Sequence, residues 1–227
     1  MATACLVPAL IPDLWHLAAI MKAEKTILLK DEPFSRKSQA HRILLRNVQG
    51  TQWFTMPIHP DDRKKPLNQV RVDQTMKWHE QLMKVLRTSY GNSIYFDFYE
   101  PEIDADLQKA AESEFLYDVI LHLNKRIYRY LELEDLIEKK TEHASTAAFN
   151  EAVKDAGYQN EVWIEERGSY YRKLGDVGRA RIKQPKFNLP EYSQHFEGFE
   201  PGCCLLDLLF QYGPMSFEIT DRIEKPR

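Results

Sequence analysis

The chain has 227 residues, 43% apolar and 29% charged, and a formal net charge of −3. This is enough chain to bury a sizeable core in one large domain or two small ones, with the composition of a globular protein. The near-neutral balance speaks against generic affinity for nucleic acid or anionic membranes, which requires a basic surface.

No apolar run reaches the roughly 18–20 residues of a membrane-spanning helix, so no membrane insertion is expected. Residues 1–12 are apolar but lack a basic leader and are interrupted by Pro8 and Pro12. Cys5, Cys203 and Cys204 have neither metal-ligand nor disulfide spacing, and reduced, buried thiols are the default. Together these features predict a cytoplasmic protein.

Residues 3–9 read as a short buried strand. Asp13 follows as the cap of a helix over about 14–23, with Leu14, Leu17, Ala18 and Met21 on its core face. Residues 25–30 are strand-like and end in a polar loop over 31–38. A strand–helix–strand opening favours an α/β fold, whose ligands bind at the C-terminal ends of the strands. Residues 41–46 and 51–58 form a plausible hairpin around the turn 47–50. A charged loop over 59–66 precedes a short strand at 70–73. Helices are expected over 75–89, 101–112 and 114–131, separated first by the aromatic run 95–99. That run could stack a sugar or base, but core packing is the simpler reading. Residues 134–160 are polar and helix-permissive, and a linker, an excursion or a lid would all fit. A strand at 161–164 and loops at 168–175 and 184–190 lead to a last helix over 202–212, stopped by Gly213-Pro214. The fold class expected is α/β: a mixed, partly parallel sheet flanked by helices, with a helical middle region, in a single domain over 1–227.

The last helix is apolar almost all round, yet Asp207 sits inside it. A buried carboxylate is costly unless paired or hydrogen-bonded. Asp207 therefore either ties loop donors or an arginine (Arg42, Arg46 or Arg71) to the core, or lines a pocket and orients a catalytic group. The seven histidines form no H-x-x-x-H or H-E-x-x-H pair, so no metal is expected. His41, beside Arg42 after the strand-end loop, is the best placed for acid–base work. Ser35 and Ser38 lie outside any nucleophile-elbow motif, and no glycine loop for phosphate is present.

The segment Phe199-Glu-Pro-Gly-Cys-Cys-Leu-Leu-Asp-Leu-Leu-Phe-Gln-Tyr-Gly-Pro214 resembles the closing signature of the WbqC-like family, roughly F-x-P-x-L-S-x-x-D-L-L-F-N-x-G-P. Pro8-Ala-Leu-Ile-Pro12, Phe34-Ser-Arg-Lys-Ser38 with Arg42, Thr55-Met-Pro57, Val70-Arg-Val-Asp73, Trp78, Tyr90, the run 95–99 and Phe115-Leu-Tyr-Asp118 agree in order. The short, tyrosine-rich middle looks like the variants of Bacteroides-type bacteria. The resemblance implies a cytoplasmic bacterial α/β protein of surface-polysaccharide (O-antigen type) biosynthesis, acting as an acyl- or aminoacyl-transferase on an amino sugar. The implied partners are a sugar nucleotide and a carrier-bound or other thioester acyl donor, with no metal and no further cofactor. On this reading His41 is the base and Arg42 the charge stabiliser. Asp31, Asp73 and Asp207 are substrate-orienting or structural acids. Four places depart from the family pattern: Val7 for Gln before Pro8, Lys30-Asp31 for paired acids, His41 for Asn before Arg42, and Gln184 for His before Pro185. These departures motivate the alternative of a non-catalytic binding or scaffold protein. Substrate, donor and oligomeric state are not legible in the residues.

Overall fold

Ala2–Leu6 (β1) is a short apolar strand whose last three residues are buried. In the structure, a computed structural model that describes residues 2–155, 161–165 and 182–226, it is the middle of a sheet. Lys25–Leu29 (β2) pairs with it in parallel on one side. Thr141–Ala144, Glu161–Ile164 and Ile182–Lys183 are β5, β6 and β7. The order across the sheet is β5-β2-β1-β6-β7, with every pair parallel. Successive residues of a strand face opposite sides. Ala4, Leu6, Leu28 and Trp163 accordingly join the main core on one face. Cys5, Ile27, Leu29, Val162 and Ile164 join a smaller cluster with Phe149 on the other. Both faces are covered, which explains why these strands read as apolar runs without alternation.

The antiparallel part of the fold is a separate hairpin of Arg42–Asn47 (β3) and Gly50–Thr55 (β4), in register from Arg42 opposite Thr55 to Asn47 opposite Gly50. The helices are Leu14–Lys22 (α1), Trp78–Tyr90 (α2), Phe96–Ala110 (α3), Leu116–Tyr130 (α4), Glu134–Lys140 (α5), Thr146–Asp155 (α6), Leu205–Tyr212 (α7) and Phe217–Thr220 (α8). The expected mixed α/β class with a helical middle is the fold observed.

Three expectations need correction. Residues 70–73 form no strand, only isolated bridges from Arg71 to Phe115 and from Val72 to Ile58. The helix expected from 101 starts at Phe96 and carries Pro101 inside it. Burial overrides the proline signal there, because Phe96 packs edge-on against Phe210 at 4.9 Å and Tyr99 is also buried. Within 134–160, residues 141–144 are no excursion but the edge strand of the sheet, between α5 and α6. The rest of that segment, 156–160, and the loop expected at 168–175 lie outside the described residues.

The stop of α7 follows the sequence signal closely. Gly213 has φ of 50°, and an added Cβ would come within 2.6 Å of the Tyr95 ring. Glycine is required there both for its backbone freedom and for the close approach. The start of α7 is tied to the front of the molecule: Leu205 N–H donates to Pro12 O and Cys204 N–H to Leu44 O.

Candidate functional site

From β1 the chain moves to β2 on one side and later returns to β6 on the other side of β1. Loops diverge at such a switch point and leave a crevice beyond the C-terminal strand ends, where α/β sheets bind ligands. A cavity of about 800 Å³ occupies this position. Its wall includes Val7 after β1, Glu32 after β2, Glu165 after β6 and Gln184 after β7.

The deepest chemistry comes from the start of α1. Asp13 is the N-cap, and its Oδ1 accepts the His16 N–H at 2.9 Å. The spacing that caps the helix also brings the His16 ring back over the cap, so that Nδ1 lies 2.8 Å from the same oxygen. Asp13 Oδ2 accepts Gln39 Nε2–H at 3.2 Å. Both oxygens of the carboxylate are thereby engaged, and the imidazole orientation is set by its partner. The other ring nitrogen, Nε2, makes no hydrogen bond among the described residues and stands 3.9 Å from Glu165 Oε1. That Glu165 oxygen accepts the Val7 N–H at 2.7 Å, which joins the ends of β1 and β6.

Electrostatics separate these three groups. Burial alone would push His16 down, but the Asp13 charge and hydrogen bond, with Glu165 beyond, hold it up at about 9. Asp13 is also buried, which favours its neutral form, yet His16 and Gln39 keep it below the ordinary carboxylate range. For Glu165 burial prevails over His16 and the Val7 N–H, and its carboxyl is pushed up. At neutral pH the site thus combines an imidazolium, an ionised orienting acid and a carboxyl with raised proton affinity. Two carboxylates pushed in opposite directions around one imidazole form an arrangement suited to proton transfer.

Aromatic rings line the opening. Trp15 Nε1–H donates to Pro185 O at 3.3 Å, and the Trp15 ring packs edge-on against Phe187 at 6.0 Å. Arg42 lies over the Trp53 ring at 4.2 Å and donates from Nη2 to Lys37 O at 2.6 Å. Among the described residues no group of three or more His, Cys, Asp or Glu side chains is arranged to hold a metal ion.

The residues singled out from sequence do not all meet here. Arg42 lines the cavity, whereas His41 is not among its lining residues. His41 is buried beneath Phe34 at 4.7 Å, and burial followed by the neighbouring Arg42 charge lowers its pKa to about 4. Asp31 accepts the Thr146 N–H at 2.5 Å and its hydroxyl at 2.7 Å, tying the end of β2 to the start of α6. Asp73 caps a short turn through Thr75.

Asp207 belongs to a separate cluster. Its Oδ2 accepts Tyr192 Oη–H at 2.7 Å and Gln194 Nε2–H at 2.9 Å. The expected direct arginine partner is not there: among the described residues no ion pair joins Asp207 to Arg42, Arg46 or Arg71. Arg46 reaches it only through Gln194, whose Oε1 accepts Arg46 Nε–H at 3.2 Å. Its guanidinium is committed to the carbonyls of Asn47, Gly50 and Glu197. Arg71 instead binds the wholly buried Asp62 at 2.8 Å.

Sequence reasoning read Asp13 only as a cap and counted His16 among scattered histidines. The local signal was present: an acid followed three residues later by histidine, at the helix start after the first strand. Glu165 gave no such signal, because only the pairing of β6 beside β1 brings it to His16. Three of the positions where the chain departs from the expected family pattern fall on or beside this one cavity: Val7 and Gln184 on its wall, and His41 next to the lining residue Arg42.

The WbqC-like protein family matches residues 8–219. The chain is also similar to the Uncharacterized protein Rv1507c of Mycobacterium tuberculosis, at 23% identity over 220 residues, covering 89% of this chain and 90% of the relative. No solved structure matches. With the family match running over nearly its whole length, the protein belongs to the WbqC-like family.

Proposed function

We propose that the protein is an acyl- or aminoacyl-transferase that moves an acyl group from a thioester to the amine of an amino sugar in surface-polysaccharide biosynthesis. The observation that carries the chemical part is the Asp13–His16–Glu165 relay at the strand ends, with His16 on the wall of a cavity of about 800 Å³. The substrate class is the expectation attached to the family.

The groups suit the reaction. The amine nitrogen attacks the thioester carbonyl carbon, forming the C–N bond as the C–S bond breaks. Glu165, with its raised proton affinity, takes the proton the amine loses. The His16 imidazolium gives its Nε2 proton to the departing thiolate. A proton passing from Glu165 to His16 across their 3.9 Å separation restores the starting state. Asp13 holds the ring throughout. General acid–base catalysis of this kind is worth about 10²–10⁴ in rate. The proton-transfer role passes from His41 to His16, since a buried imidazole of low basicity off the cavity wall is a poor base.

The test is to incubate purified protein with nucleotide-activated amino sugars and either coenzyme A thioesters or acyl-loaded carrier protein, and to look for the amide by mass spectrometry. Amide formed with release of free thiol supports the reading, and its absence with every pairing removes it. A second reading, binding without turnover, is favoured by the replaced polar positions Val7 and Gln184 on the cavity wall. It predicts saturable binding of such ligands with no amide formed.

A further inference from the structure

The cavity has its charges layered by depth. Its acids lie inward: Asp13 and Glu32 are only 7% and 4% exposed, and Glu165 is half-buried. Its lysines and arginine lie outward, Lys37 and Lys186 exposed and Arg42 half-buried, while the His16 imidazolium sits inward among the acids. Around Lys37 the outer rim is furnished with donors. Ser35 Oγ accepts the Lys37 N–H at 3.3 Å and Ser38 Oγ accepts the Ala40 N–H at 3.0 Å. A hydroxyl that accepts from the backbone keeps its own O–H for another acceptor. Beside them the Arg42 guanidinium carbon lies 4.2 Å from the centroid of the Trp53 ring, which is itself 45% exposed, so cation and indole sit together at the rim.

We infer that this rim, formed by Ser35, Lys37, Ser38, Arg42 and Trp53, is a subsite for the diphosphate of a nucleotide, with the base or ribose against the Arg42–Trp53 stack. Guanidinium, ammonium and hydroxyl donors are the groups that recognise phosphate oxygens. A carboxylate alone would not use a rim this long or a flat aromatic platform, and a cavity of about 800 Å³ matches a nucleotide-sized ligand. The layering also orients the ligand. Phosphates stay outside, and the end carrying proton donors, such as an amine or hydroxyls, points to the buried acids. The inference rests on the proposed transferase reading only for what reacts at the inner end. Nucleotide sugars and coenzyme A both carry a diphosphate, so the rim could serve the acceptor or the donor.

Isothermal titration of the full chain decides this with three probes: uridine diphosphate, coenzyme A and inorganic diphosphate. The wild-type chain should bind at least one of the nucleotides, and inorganic diphosphate should compete. Lys37→Glu should weaken that binding about tenfold or more, and rising salt should weaken it further. Arg42→Lys, which keeps the charge but loses the planar fork, should weaken nucleotide more than inorganic diphosphate. Circular dichroism of both variants establishes that they are folded. Preference for uridine diphosphate assigns the rim to the acceptor, and preference for coenzyme A assigns it to the donor. His16→Ala should bind like the wild type while losing turnover, which separates failure of the chemistry from failure of the subsite. No binding of any probe at millimolar concentration, or equal binding by wild type and both variants, overturns the subsite.

Discussion

Asp207 and Asp13 are both buried carboxylates in polar clusters, and they differ in where their partners lead. Asp207 is fixed by Tyr192 and Gln194, and Gln194 passes on to Arg46, whose remaining donors end on backbone carbonyls of the hairpin and the 194–200 loop. Each of these hydrogen bonds ends on another group of the chain, while the other Asp207 carboxylate oxygen, Oδ1, is buried with no hydrogen bond among the described residues. Asp13 is fixed by the His16 N–H, the His16 ring and Gln39, but both residues line a cavity, and the far nitrogen of that ring faces a second acid at 3.9 Å. The first cluster joins α7, the hairpin and the C-terminal loop. The second leaves a titratable nitrogen at the cavity wall with no hydrogen bond among the described residues. Burial of an acid therefore separates structure from candidate chemistry poorly here; the route of its hydrogen bonds separates them well.

The contrast is sharpest in activity. His16→Ala should reduce turnover by about 10²–10⁴ while the protein remains folded, as read by steady-state amide formation and circular dichroism. Asp207→Ala should leave no comparable signature of lost proton transfer. Its effect should be on stability, a loss of about 3 kcal/mol in urea unfolding, because Tyr192 and Gln194 are left with buried, unmet donors. Asp207→Asn keeps an acceptor and has no charge to bury. Burial pushes the Asp207 carboxyl up against the opposing Tyr192 and Gln194 hydrogen bonds and the Arg46 charge. The asparagine keeps the acceptor for Tyr192 and Gln194 but sets its amide N–H donors where Oδ1 has no partner, so it should cost less than the alanine, about 1–2 kcal/mol. Equal losses for the alanine and asparagine variants would break the assignment of Asp207 as an acceptor hub.

The pH dependence sharpens the comparison from the other side. His16 is raised in the folded state from 6.5 to about 9. Its stabilisation is present in full below the unfolded value and is lost as pH rises through the folded one. Unfolding free energy should fall between pH 6.5 and about 9, by an amount on the order of 2 kcal/mol, and the His16-dependent part should vanish in His16→Ala. Urea titrations at closely spaced pH values measure both. The smallest effect is expected far from either cluster. The exposed Lys109–Glu112 pair on the surface near the end of α3 should contribute less than about 0.5 kcal/mol, so Lys109→Ala serves as a baseline.

Much of this architecture was legible because it is local. The apolar run of β1, the Asp13 cap of α1, the hairpin and the Gly213 stop of α7 each arise from contacts within a few residues or from strict backbone limits. Where tertiary packing prevailed, local reading failed: Pro101 sits inside α3 because Phe96 and Tyr99 are buried, and polar residues 141–144 serve as an edge strand because β2 offers them a partner. The candidate site divides in the same way. Arg42 was singled out from its neighbours in the chain and does reach the cavity, whereas His41, singled out with it, turns beneath Phe34.

By itself the sequence determined an α/β chain of the WbqC-like family, the register of its caps and turns, and the presence of a buried acid at Asp207. These follow from side-chain periodicity, capping chemistry and one specific motif. Only the tertiary structure decided that Asp207 is held by Tyr192 and Gln194 and, through Gln194, linked to Arg46, while Asp13 and His16 line a cavity. It also decided that Glu165, just after β6 and 149 residues after His16, completes the second group. The physical reason is that parallel pairing of β6 beside β1 is a long-range choice, made by burial of both sheet faces, and no short stretch of chain records which strand ends will meet.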